Sequence, residues 1–201
     1  ILVPTDFSKE AEKALKVAAQ IAKKHNCEIL LLHMLDLPIQ QLNVGSAPSD
    51  LPEAMYFMKL AHKQFEEVLK YDFLDNITVT EMVDFHEVSK GILDTCEKHE
   101  VDLIIMGSHG ADGLKELFIG STAEKVVRTS NTPVLVVKNH HAHFEIKDFV
   151  FASDFKNDNK ETYSQAVKLA RLFNSKIHLL YVNTPSNFAT TATSKVRIFD
   201  F

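Results

Sequence analysis

The stretch "MGSHGADGLKELFIGST", residues 106–122, decides how this chain is read. It follows directly on an apolar run, Val101 to Ile105, and it spaces three glycines as Gly107, two residues, Gly110, nine residues, Gly120, before Ser121 and Thr122. Glycine lets a ligand approach the main chain closely and accepts backbone conformations other residues avoid, so glycines just past a strand suit a nest of N–H donors around an anion. Ser121 stands where a helix over 122–129 begins, and the unpaired amides of such a helix end, with its dipole, hold phosphate without a charged side chain. Ser121 and Glu124 also fit the S-x-x-E capping box, a purely structural use of the same residues.

Outward from this loop the chain alternates strands and helices. Ile1 to Val3 is a short aliphatic strand stopped by Pro4, and Ser8 caps a helix over 9–25 that sets Ala11, Ala14, Leu15, Ala18, Ile21 and Ala22 on one face. Glu28 to Leu35 is an apolar run of the kind found in a strand covered on both faces. A loop over 36–50, a helix from Leu51 to Tyr71, a strand from Ile77 to Val83, a helix from Glu87 to His99 and a last strand, Pro133 to Val137, complete the series. The alternation predicts a doubly wound α/β domain on an open parallel sheet.

The sequence then begins again. Phe149 to Phe155 echoes Ile1 to Phe7 at an offset of 148, and eight identities keep that register, among them Asp6 with Asp154, Phe7 with Phe155, Ala22 with Ala170 and Asn26 with Asn174. The expected division is a complete domain over 1–138, a linker over 139–148 and the opening part of a second copy over 149–201. That second copy is expected to end in a Thr-rich loop, Pro185 to Ser194, without reaching a glycine loop. Two strands and one helix leave edges and a face uncovered, which favours a fragment or a half domain packed on another copy.

Composition narrows the functional classes. Hydrophobic residues make up 45% and charged residues 24% of 201 residues, the profile of an ordinary globular chain. A net charge of −5 supplies no general attraction to nucleic acid or anionic lipid, and no run approaches a membrane span. Two isolated cysteines, Cys27 and Cys96, form no disulfide framework, so a reducing cytoplasm is the expected compartment; the absence of a leader before Ile1 agrees with that expectation.

Ligands of open α/β sheets collect at the carboxyl ends of the strands, where strand order reverses. The residues that reach that edge are Thr5 and Asp6 after the first strand, Met34 at the end of the second, and Met106 and Gly107 at the end of the fourth. Asp6 can accept from an exocyclic amine or a ribose hydroxyl, the methionines can pack on a base or in the core, and the glycine loop can take phosphates. There is no G-x-x-x-x-G-K-[ST] motif. His109 is the only evident base for hydrolysis, which makes binding better supported than turnover. His140, His141 and His143 cluster in the junction, where a polar linker and a metal site are the competing readings.

ILVPTDFS at the start, LLLHMLD on the second strand and DLIIMGSHG with the full G-x2-G-x9-G-[ST] pattern resemble the universal stress proteins. The resemblance covers residues 1–138 and the opening of a second copy, as in a tandem member. It implies a sheet of order 3-2-1-4-5 and an ATP-binding branch, with Asp6 on adenine and Gly107, Gly110, Gly120, Ser121 and Thr122 on the phosphates; Thr5, Met34 and Met106 are lesser candidates. It implies pairing through the fifth strand or between the two copies, and the expected function is a regulatory role in the stress response with Mg2+ accompanying the triphosphate; a slow ATPase using the same loop and a nucleotide-free dimerising interaction module are the rival readings. Ala152 replaces Pro4 in the second copy, which puts a second nucleotide site in question.

Overall fold

The computed structural model describes residues 1–35, 51–85, 87–109, 119–156, 159–184 and 188–200, which form two compact units, 1–144 and 145–201. Gly110, Lys115 and the loop over 36–50 lie outside the described residues. The first unit runs β1 (Leu2–Pro4), α1 (Lys9–His25), β2 (Ile29–Met34), α2 (Leu51–Val68), β3 (Val79–Asp84), α3 (Val88–Lys98), β4 (Ile104–Gly107), α4 (Ser121–Thr129) and β5 (Val134–Val137). All five strands are parallel, in the order β3-β2-β1-β4-β5. Leu2, Val3, Leu31, Leu32, Ile104 and Ile105 are fully buried whichever way they point, as a sheet with helices on both faces demands. Each such aliphatic side chain contributes about 1.5–3 kcal/mol of burial.

The expected helix α1 forms with Ser8 as its N-cap, whose hydroxyl accepts from the Ala11 amide, and it ends at Asn26 in the left-handed conformation. α2 stops at Val68 rather than Tyr71, and a short 3-10 turn, Asp72–Leu74, follows. The first strand does not stop before Pro4. Pro4 pairs with Leu32 of β2, and the Thr5 amide continues that ladder to the Leu32 carbonyl. On the other side, the Leu2 amide bonds to the Leu103 carbonyl, and Pro4, two residues on, has no N–H to extend the pairing to β4. The proline therefore ends the ladder between β1 and β4 at their carboxyl ends, which is where the strand order reverses.

The second unit contains β6 (Asp148–Ser153), α5 (Lys160–Phe173), β7 (Lys176–Tyr181) and α6 (Thr191–Asp200). The β6–β7 register, Val150 with His178 and Phe151 with Leu179, is the β1–β2 register, Leu2 with Leu30 and Val3 with Leu31, moved by 148 residues. The local geometry repeats as well. Phe7 and Phe155 both adopt positive φ, 61° and 51°, and each donates its amide to the hydroxyl two residues earlier, Thr5 or Ser153, at 3.0 Å. Asn26 and Asn174 both end their helices at positive φ. The expected Thr-rich loop is overturned in its second half: helix α6 begins at Thr191, and the Thr190 hydroxyl accepts from the Thr193 amide in the manner of a cap.

Candidate functional site

The carboxyl ends of β1, β2 and β4 bring together Thr5, Asp6, Met34, Met106 and Gly107, and α4 adds Ser121 and Thr122 at the same edge of the sheet. The turn after β1 is strained and well held. Phe7, in the left-handed region that few bulky residues adopt, is fixed by the Thr5 hydroxyl and by its ring packing 5.1 Å from Phe65 and 4.6 Å from His33, centroid to centroid. Asp6 is exposed at the apex, and its Oδ1 accepts from the Ser8 amide at 3.0 Å.

The loop after β4 is closed at its base. The Ser108 amide donates to the Val137 carbonyl, and the Ser108 carbonyl accepts the Gly120 amide at 2.7 Å. Gly120, with extended φ and ψ of −61° and 152°, is the N-cap of α4, and its carbonyl accepts the Glu124 amide. The capping box is thus overturned. Ser121 is the first helical residue rather than the cap, and the Glu124 carboxylate turns instead to Arg128 Nε at 3.0 Å.

Two helix ends therefore reach this edge, and their charges differ. The first turn of α1 carries Glu10 and Glu12, and the Glu10 carboxyl is held below the usual range chiefly by its hydrogen bond from Lys13, so it stays ionised. The first turn of α4 presents Ser121, Thr122 and Ala123 before any acid occurs. Backbone amides and a positive dipole end, with no carboxylate in the first three residues, suit the start of α4 to an anion better than that of α1.

The methionines belong to the core: Met106 is buried and Met34 half-buried in one cluster with Leu2, Leu32, Ile92, Ala123 and Val126. Gly107 has a reason unrelated to ligand approach. A Cβ there would lie 2.9 Å from the carbonyl carbon and oxygen of Glu10, so the bare residue lets α1 pack onto β4. His109 takes up Ser108 Oγ at 3.0 Å through Nδ1, and its Nε2 is buried without a hydrogen-bond partner among the described residues. Sequence reading puts His33 at this edge without a role, and its Nδ1 lies 2.8 Å from the Thr5 carbonyl. Its position directly before Met34, on the strand beside the Asp6 turn, was the available signal.

Among the described residues no three His, Cys, Asp or Glu side chains converge into a metal site, and His141 instead stacks edge-on against Phe144 while its carbonyl accepts from Gln20. A separate depression of about 390 Å³, lined by Asn26, Cys27, Asp75, Asn76 and Thr78 among others, lies at the amino ends of β2 and β3, away from the switch point. Among the described residues no helix is long and apolar enough to cross a membrane.

The sequence pattern of the Universal stress protein family matches residues 1–138. Universal stress protein MJ0577 of Methanocaldococcus jannaschii is 35% identical over 155 residues, 71% of this chain and 96% of that protein. Universal stress protein YxiE of Bacillus subtilis is 29% identical, covering 69% of this chain and 97% of its own. The solved structure of MJ0577 superposes with a TM-score of 0.57 at 33% identity, over 70% of this chain and 96% of that one. The universal stress protein UspA from Lactobacillus plantarum, at 24% identity and a TM-score of 0.54 over 68% of this chain and 94% of its own, shares the fold.

Proposed function

Because the chain belongs to the universal stress protein family, we propose that its first domain is a regulatory nucleotide-binding module that holds ATP with Mg2+ at the carboxyl edge of β1 and β4. The carrying observation is the Gly120–Ser108 bond of 2.7 Å, which sets the start of α4, free of acids over Ser121 to Ala123, at the end of β4, beside the gap left by Pro4. In this reading Gly120, Ser121 and Thr122, with Gly107 and Gly110, receive the phosphates, Asp6 and Thr5 meet the base and ribose, and Met34 and Met106 form the apolar floor. Mg2+ would come with the triphosphate and neutralise its charge.

Residues 145–201 are read as the opening of a second copy, given the shared register and turn geometry. Val150 and Leu180 are 58% and 51% exposed where Leu2 and Leu32 of the first copy lie at 0%, beneath α3 and α4. That face is expected to take an equivalent helical layer. Pairing through β5 and a cytoplasmic location complete the reading.

One observation favours turnover as a second reading: the buried Nε2 of His109, which has no hydrogen-bond partner among the described residues. Analysis of nucleotide carried by the purified protein, followed by calorimetric titration and long incubation with ATP and Mg2+, tests both readings. Bound ATP that survives intact supports a binding module. ADP that accumulates with wild type and not with His109→Ala supports slow hydrolysis. No binding at millimolar ATP overturns the nucleotide reading.

A further inference from the structure

We propose that His33 is a positioning residue, which sets the Asp6 turn for recognition of the base; this rests on the nucleotide reading above. A carbonyl oxygen only accepts, so the 2.8 Å contact between His33 Nδ1 and the Thr5 carbonyl requires that Nδ1 carry the proton and donate. The same imidazole packs on Phe7 at 4.6 Å. His33 thus grips the turn at the residue before Asp6 and at the residue after it. Asp6 is left with a defined peptide plane on either side.

The molecule contains its own comparison. At the offset of 148, His33 corresponds to Tyr181. Tyr181 keeps the ring contact, stacking on Phe155 at 6.1 Å and 15°, but its hydroxyl accepts from Arg197, and the Ser153 carbonyl accepts from the Val182 backbone amide rather than from a side chain. The turn in the second unit nevertheless forms, with Phe155 at φ 51° and the same amide-to-hydroxyl bond. An aromatic wedge and a backbone amide therefore suffice for the fold of this turn, and the imidazole donor belongs to the copy that carries the glycine loop.

Both acids are held within their own turns. Asp154 accepts from Asn159 Nδ2 at 2.9 Å and pairs with Lys156 Nζ at 3.0 Å, so side chains of its own unit occupy both of its oxygens. At Asp6 the bonding within the turn comes from the Ser8 amide, and the imidazole holds the turn from behind through the backbone. Both carboxylates are therefore bonded within their own turns, and the peptide before each acid is held as well, by an imidazole in the first copy and by the Val182 amide in the second. A carboxylate aimed in this way suits recognition of an exocyclic amine such as that of adenine, and it discriminates against a base that presents a carbonyl there.

The test compares wild type with His33→Tyr, which installs the second unit's residue, His33→Gln, which moves the donor out of reach, and His33→Asn, whose Nδ2 stands where Nδ1 does. Dissociation constants for ATP, GTP and inorganic tripolyphosphate are measured on the full chain, with melting temperatures alongside. Tyr and Gln are expected to weaken ATP about tenfold, the size of one directed hydrogen bond, and to narrow the ATP-to-GTP ratio by a similar factor. Tripolyphosphate affinity should stay within about twofold, and Asn should recover most of the loss. Where the Tyr variant does not fold, Gln against Asn makes the same comparison.

Unchanged ATP affinity and ATP-to-GTP ratio in the Tyr and Gln variants would overturn the proposal. So would an equal loss for tripolyphosphate, or an Asn variant no better than Gln. A wild-type protein that binds neither ATP nor tripolyphosphate overturns the nucleotide reading and this inference with it, whereas wild-type binding with indifferent His33 variants overturns this inference alone.

Discussion

Gly107 lies against Glu10 so closely that a methyl group on its Cα would meet the Glu10 carbonyl carbon and oxygen at 2.9 Å. The contact joins the last residue of β4 to the first turn of α1, across almost 100 positions of sequence. Backbone cannot yield as a flexible side chain can, so Gly107→Ala must push α1 off the sheet. The expected cost is about 1–3 kcal/mol, as for other overpacked sites, read as a lower urea midpoint with an unchanged slope. A midpoint equal to wild type would show that the helix has room to move.

Gly120 answers to a different constraint. Its φ of −61° is open to alanine, and an added Cβ would sit 3.2 Å from the Ser108 carbonyl oxygen, tight but not impossible. The disturbance falls on the bond that closes the loop base rather than on the core. Gly120→Ala is therefore expected to lower the affinity for ATP and for tripolyphosphate alike, about tenfold, with a stability change below about 1 kcal/mol. Calorimetric titration with both ligands and one urea curve separate this outcome from that of Gly107→Ala. Loss of ATP affinity with tripolyphosphate untouched would place Gly120 on the base side and contradict the assignment.

The contrast between the two glycines marks what a sequence carries and what it hides. Strands β1, β2, β4 and β5 were legible because a parallel strand covered on both faces is apolar almost without interruption, as at Leu30 to Leu32 and Ile104 to Met106, whereas the edge strand β3 mixes apolar and polar residues. The α1 cap at Ser8 was legible because it is local. The purpose of Gly107 was not, since its partner Glu10 is set by tertiary packing. Ser121 and Glu124 spelled a capping box, but the pattern cannot distinguish a cap from the first helical residue. The choice fell to Gly120 because its amide had a partner in Ser108. His33 was passed over because its role is visible only once β2 lies beside the turn after β1. Helix α6 was hidden by threonines, which favour loops and strands by propensity and here serve as the cap and first turn.

The stability of the fold is expected to respond to alkali through Cys96. Cys96 is 4% exposed, and burial pushes its thiol up to about 11 from the ordinary 9.0. Below pH 9 the Cys96 thiol is neutral in folded and unfolded chains, and its titration leaves stability unchanged. Between pH 9 and 11 the unfolded chain releases that proton and the folded chain retains it, so stability falls as pH rises, by up to about 2.7 kcal/mol for two units. Other groups titrate in the same window, and the difference between wild type and Cys96→Ala isolates this one. The alanine variant should start lower at pH 8 because of the cavity it leaves, then lose less stability by pH 11, so that the two curves converge. Parallel curves from pH 8 to 11 would mean that the thiol ionises in the fold as readily as in the unfolded chain, and the packing of α3 around Cys96 would then be looser than a 4% exposure implies.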